Sequence, residues 1–140
     1  MIIKIKRLHP DAKLPTYAHH DDIGLDLYSL EDYQLQPGER KIFMNGFALE
    51  VPSGYAAIVK DKGSLPKNAG LHTMGGVFDP GFRGEYNVCL VNLGQQSYKI
   101  MKGDKIAQLV IIPVERAEFV ETEELSDSAR GVGQFGSTGR

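Results

Sequence analysis

Along most of the chain, apolar and polar residues alternate with a period of two. Ile3 and Ile5 stand against Lys4 and Lys6, and Phe47, Leu49 and Val51 stand against Ala48 and Glu50. This period puts alternate residues on opposite faces of an extended strand, so such runs predict half-buried strands. Further strands are expected over 24–30, 41–43, 55–59, 86–93, 98–101, 106–112 and 117–121. Pro37-Gly38, Pro52-Ser53-Gly54, Pro80-Gly81 and Gly103-Asp104 punctuate them as turns. Short strands at this spacing predict an all-β sandwich, jelly roll or barrel. One short helix is expected, with Ser64 as its N-cap, Pro66 in the first turn and Gly70 closing the end.

Composition narrows the class. A chain of 140 residues with 41% hydrophobic and 24% charged residues suits one domain with an ordinary core. The expected division is a β domain over 1–125 and a glycine-rich mobile arm over 126–140. A net charge of −2 supplies no basic field for a nucleic acid, so any phosphate recognition must be local. Cys89 is the single cysteine, which excludes an intrachain disulfide, a cysteine-rich zinc site and a dithiol redox centre. The first residues lack the apolar run of a signal peptide, and the longest apolar stretch, 109–114, is far short of the roughly 20 residues a membrane span needs. A cytoplasmic protein without nucleic-acid or membrane partners is expected.

Four clusters carry candidate chemistry. In the first, Asp26 lies between Leu25 and Leu27, so a strand would put it on one face with Gly24 and Tyr28. The neighbouring His19 and His20 read as a solvated loop. In the second, Lys62, Gly63 and Ser64 open the short helix with a cation, a hydroxyl and free backbone N–H groups, a combination that suits a small anion. In the third, a strand ending at Asp79, a Pro80-Gly81 turn and a return from Tyr86 predict a β-hairpin, with Gly75 and Gly76 letting a flat ligand approach the main chain. Asp79 is placed either to take a proton from water or to form the turn. The fourth, running from Arg130 to Gly139, joins a guanidinium, two hydroxyls and the Phe135 ring, able to grip phosphate and stack on a base.

In this order, and together with Gly103-Asp104-Lys105-Ile106-Ala107-Gln108-Leu109, these clusters resemble the five motifs of the trimeric dUTPases over nearly the whole chain. The resemblance implies a jelly-roll homotrimer whose active sites are shared between subunits and closed by the arm. It implies hydrolysis of dUTP to dUMP and pyrophosphate, with Mg²⁺ carried by the triphosphate. Asp79 matches the residue that activates the attacking water, and Asp26 the one that reaches the metal through water. Gly76, Val77, Phe78 and Phe82 match the uracil-binding hairpin, with Asn87 across it by counting. Lys62, Gly63, Ser64 and Gln108 match phosphate contacts. Arg130, Phe135, Gly136, Ser137 and Thr138 match the arm.

The chain departs from the family pattern at three places, the mildest being Val132 and Gln134 in the arm, where small residues are more common. Lys62-Gly63-Ser64 stands where Arg-Ser-Gly is usual, so the charge is kept and the bidentate fork is lost. Phe82 replaces a tyrosine, keeping the flat face without the hydroxyl. The related dCTP deaminases would need a catalytic glutamate where this chain has Cys89. The remaining alternative is a non-catalytic nucleotide-binding regulator on the same fold.

Overall fold

The computed structural model describes residues 1–134. Eleven strands and one helix follow in the order β1 (Lys4–Arg7), β2 (Gly24–Tyr28), β3 (Tyr33–Leu35), β4 (Arg40–Met44), β5 (Phe47–Glu50), β6 (Tyr55–Lys60), α1 (Ser64–Ala69), β7 (Leu71–Met74), β8 (Val77–Phe78), β9 (Asn87–Asn92), β10 (Tyr98–Ile100) and β11 (Lys105–Pro113). Two larger sheets, ordered β2-β11-β6-β8 and β4-β9-β7, are joined by the pairs β1-β5 and β10-β3. Every pairing is antiparallel. Alternation explains the packing: Val88 and Leu90 on β9 and Leu71 on β7 face inward with Leu27, Phe43, Phe47 and Leu109. The all-β, jelly-roll expectation with one short helix is met.

Three local expectations are corrected. Residues 117–121 form no strand, and Phe119 and Val120 are 94% and 81% exposed. Alternation there defines an apolar edge but finds no surface among the described residues to cover it. Ser64 is not the helix cap: Gly63 occupies that position without a side-chain hydrogen bond, and Ser64 begins the helix itself. Gly70 closes the helix as expected, its left-handed backbone (φ 70°) letting its N–H reach the carbonyls of Leu65 and Pro66.

The third correction concerns the hairpin. β8 does not pair with β9 but adds to β6 in the other sheet, through Ala57 with Phe78 and Ile58 with Val77. The antiparallel partner of β9 on that side is β7, with Met74 opposite Cys89. Residues 75–86 therefore form one long connection that leaves one sheet, edges the other and returns. Gly75 and Gly76 make that departure possible with φ of 66° and 87°.

Candidate active site

The sheet β2-β11-β6 builds one corner. Gln108 on β11 pairs with Asp26 on β2 and Lys60 on β6, so the three share a row across the sheet. Gln108 lies over Gly24, where an added Cβ would sit 2.0 Å from Gln108 Oε1, and its amide donates to the Asp61 carbonyl at 2.8 Å. Asp26 is only 2% exposed. Lys62 Nζ lies 2.7 Å from its Oδ1, and Lys105 Nζ lies 2.6 Å from its Oδ2 in an ion pair. Burial pushes the Asp26 carboxyl up, but the two ammonium groups more than offset this and hold it below its ordinary range.

Lys105 belongs to a stretch already singled out, but its role there was missed for a physical reason. Lys105 pairs with Tyr28 and Ala107 with Leu27, so the register shifts by one between them. Such a bulge reverses the facing of everything before it. It turns Lys105 onto the Asp26 face, and pairing with Asp26 holds the lysine above its ordinary pKa. A cleft of about 320 Å³ lined by His19, Asp22, Gly24, Asp26, Lys62 and Gln108 opens on one side of the Asp26–Lys62 pair. Another of about 300 Å³, lined in part by Lys62, Ser64 and Lys105, shares Lys62 with it. A larger cavity of about 460 Å³ beside Asn68, Gln95, Gln96 and Ser97 contains no charged group.

The ribbon after β7 is the second part. The Gly76 carbonyl accepts from Val59 N–H at 2.7 Å, and a Cβ on Gly76 would meet Val59 Cβ at 2.8 Å, so the close approach requires glycine. Phe78 stacks on buried Tyr86 with centroids 4.3 Å apart, and Phe82 leans on both rings at 5.4 and 5.9 Å while remaining 37% exposed. Burial pushes the Tyr86 hydroxyl up to about 12. Phe82 N–H donates to the Asp79 carbonyl, and Arg83 donates to the carbonyls of Pro80 and Phe82, which fixes the turn. Asp79 is exposed, and its carboxylate has no hydrogen-bond or ion-pair partner among the described residues.

Not all the expected residues converge. Continuing the β6–β8 register puts Asp79 beside Ala56, whereas the Asp26 row crosses β6 at Lys60. At about 4.8 Å between strands and about 3.4 Å per residue, Asp79 lies on the order of 20 Å from Asp26. Asn87 begins β9 opposite Met44, and continuing the β7 register would bring it opposite Gly76. Arg130 donates to the carbonyls of Gly133 and Gln134 in its own turn. Phe135, Gly136, Ser137 and Thr138 lie outside the described residues. Glu85, the acid nearest the position a deaminase would use, instead accepts Gly46 N–H at 2.7 Å. Among the described residues no three His, Cys, Asp or Glu side chains gather as a metal cage, and both Asp26 oxygens face lysines. Asp26, expected to reach the metal through water, is held between Lys62 and Lys105.

Asp61 and His72 were not assigned roles from the sequence. Asp61 accepts from Thr73 N–H at 2.6 Å, from the Thr73 hydroxyl at 2.7 Å and from His72 Nδ1 at 2.8 Å. Burial raises its pKa, while the Thr73 and His72 contacts bring it below the ordinary carboxylate value. A short polar side chain just after a strand was the only signal for it.

Lysines suited to phosphate, backbone edges and aromatic faces suited to a base, and a free carboxylate define a nucleotide-hydrolysing β-sandwich. The dUTPase family model matches residues 10–139, and the chain belongs to that family. It is 50% identical over 140 residues to the deoxyuridine 5'-triphosphate nucleotidohydrolase of Thermobifida fusca, covering 98% of this chain and 78% of that one. To the enzyme of the same name from Solibacter usitatus it is 44% identical, covering 100% of this chain and 97% of that one. Among solved structures, Staphylococcus bacteriophage 80alpha dUTPase with dUPNHPP superposes with a TM-score of 0.94 at 28% identity, covering 99% of each chain. No helix among the described residues is long and apolar enough to cross a membrane.

Proposed function

We propose that the chain hydrolyses dUTP to dUMP and pyrophosphate, with Asp79 as the base that orients and deprotonates the attacking water. The observation that carries this reading is the Asp79 carboxylate, exposed and unpartnered among the described residues at the tip of a ribbon that its own backbone holds in place. A carboxylate reserved for structure would be expected to hold a partner, as Asp26 and Asp61 do.

Phosphate binding falls to the corner. A carboxylate brought to about 4 Å from a phosphate charge costs about 4 kcal/mol at an effective dielectric near 20, so cations must gather with it. Lys62 supplies one, aided by Gln108, by Gly63 and Ser64 at the helix start, and by Arg130 when the arm closes. Asp26 holds Lys62 and Lys105 in place and is assigned to reach the substrate's Mg²⁺ through water. Mg²⁺ enters with the triphosphate as part of the substrate and shields its charge. Gly76, Val77 and Phe78 offer backbone edges to uracil, Phe82 covers the sugar face and excludes a 2′-hydroxyl, and Asn87 backs the ribbon. Phe135, Gly136, Ser137 and Thr138 close over the base and phosphates.

The separation of about 20 Å between Asp79 and the Asp26 row is too great for one nucleotide to engage both within a single chain. It supports a homotrimer in which one subunit brings the ribbon and another the corner, with 126–140 as the closing arm. The test is pyrophosphate release from dUTP, dCTP, dTTP and UTP, with and without Mg²⁺. Release from dUTP far above the others, enhanced by Mg²⁺, is expected. No release from dUTP with Mg²⁺, or ammonia release from dCTP, would overturn the reading.

A further inference from the structure

Asp61 lies where three parts of the proposed site meet. It follows the last residue of β6 and precedes Lys62, whose ammonium pairs with Asp26. Its carbonyl holds the Gln108 side chain at 2.8 Å. Its carboxylate holds β7 through the backbone and hydroxyl of Thr73 and through His72, two to three residues before the ribbon glycines. β6 and β7 belong to different sheets, and among the described residues β7 pairs on one edge only, with β9. The Thr73 N–H thus finds its acceptor in Asp61 instead of in a neighbouring strand.

We propose that Asp61 is a positioning residue that locks the Lys62–Gln108 phosphate corner against the strand leading into the base-binding ribbon. The inference rests on the proposed dUTP hydrolysis and assigns to Asp61 no contact with substrate. Its carboxylate takes three hydrogen bonds from one strand while its carbonyl fixes a side chain from another. A shift at Asp61 therefore moves Lys62 and Gln108 together. The sheet interior is built from apolar side chains, and Asp61 is only half-buried at its edge.

The experiment compares wild type with Asp61→Asn by steady-state kinetics and by calorimetric binding of dUMP and of the α,β-imido analogue of dUTP. Asp61→Asn is expected to raise KM for dUTP about tenfold, with kcat within about threefold. It is expected to weaken the triphosphate analogue by a similar factor and to leave dUMP binding unchanged, since dUMP lacks the β- and γ-phosphates that the corner is placed to grip. Because Asp61 acts through Lys62 as well as Gln108, the step from Lys62→Ala to the double variant Asp61→Asn/Lys62→Ala should be smaller than the step from wild type to Asp61→Asn. An unchanged KM, equal losses for dUMP and the triphosphate analogue, or additive effects in the double variant would overturn the proposal. Should Asp61→Asn fail to fold, Thr73→Val decides, with an expected rise in KM of about threefold and an unchanged KM as the contrary result. An inactive wild type would sink the hydrolase reading itself, a failure visible before any variant is compared.

Discussion

Replacing Asp26 by Asn removes the one negative charge that two lysines share beneath the sheet surface. In the folded chain the carboxylate side chain is 3% exposed, with ammonium nitrogens at 2.7 and 2.6 Å. Breaking a buried pair by removing one partner costs about 3–5 kcal/mol when the remaining charge stays buried. Lys62 and Lys105 are 31% and 42% exposed, so both can turn toward water and recover part of that cost. The net loss should therefore fall near 2–3 kcal/mol, which for a chain of this size lowers Tm by about 6–12 °C. The dependence on pH has a definite sign. A carboxyl whose pKa is lowered by folding contributes stability above its unfolded value, 3.8, and loses it as pH falls through the folded value. Thermal melts of wild type and Asp26→Asn should thus differ most at neutral pH and converge well below pH 3.8. A drop at pH 7 of less than about 2 °C, or a gap that persists undiminished in acid, would refute the assignment of Asp26 as the shared counter-ion.

Two further changes separate packing from chemistry. Gly76→Ala meets both a positive φ of 87° and a contact of 2.8 Å with Val59, while Gly75→Ala meets only a positive φ of 66° and open space. Gly76→Ala should cost about 2–3 kcal/mol in denaturant unfolding and Gly75→Ala about 1 kcal/mol; equal costs would remove the close-approach argument. Tyr86→Phe deletes a buried hydroxyl that has no hydrogen-bond partner among the described residues and keeps the stacked ring. It should raise Tm by up to about 3 °C, and a clear fall would mean that the assembled protein supplies that hydroxyl with a partner.

Alternation was a good guide where strands have one face on the core. β2, β5, β6, β9 and β11 all fall within a residue or two of the runs that predicted them. It failed at 117–121 because a periodic pattern says which side is apolar and nothing about what covers it. β3 and β7 were passed over because three or four residues mixed with Gln, His and Thr carry too short a period. β7 owes its place to the ladder with β9 and to the Asp61 clamp. The hairpin was paired with the nearest apolar run in sequence, whereas two positive-φ glycines redirect the chain to another sheet. Within the site, Asp26, Lys62 and Gln108 were legible as residue types and are brought together. Lys105 was hidden by a one-residue bulge that spacing cannot register, and Asp61 by bonds to a strand far along the chain.

The central claim is that Asp79 acts on a nucleotide held by the Lys62 corner of another copy. Mixing subunits tests it most directly: Asp79→Asn and Lys62→Ala proteins are prepared separately, each with little turnover, then unfolded, mixed in equal amounts and refolded. In the mixed assemblies a site can draw an intact Asp79 from one variant and an intact Lys62 from the other. Random association should restore about a quarter of the wild-type rate of pyrophosphate release from dUTP. Activity no higher than the sum of the separate variants, in a mixture shown to have exchanged subunits, would contradict the account.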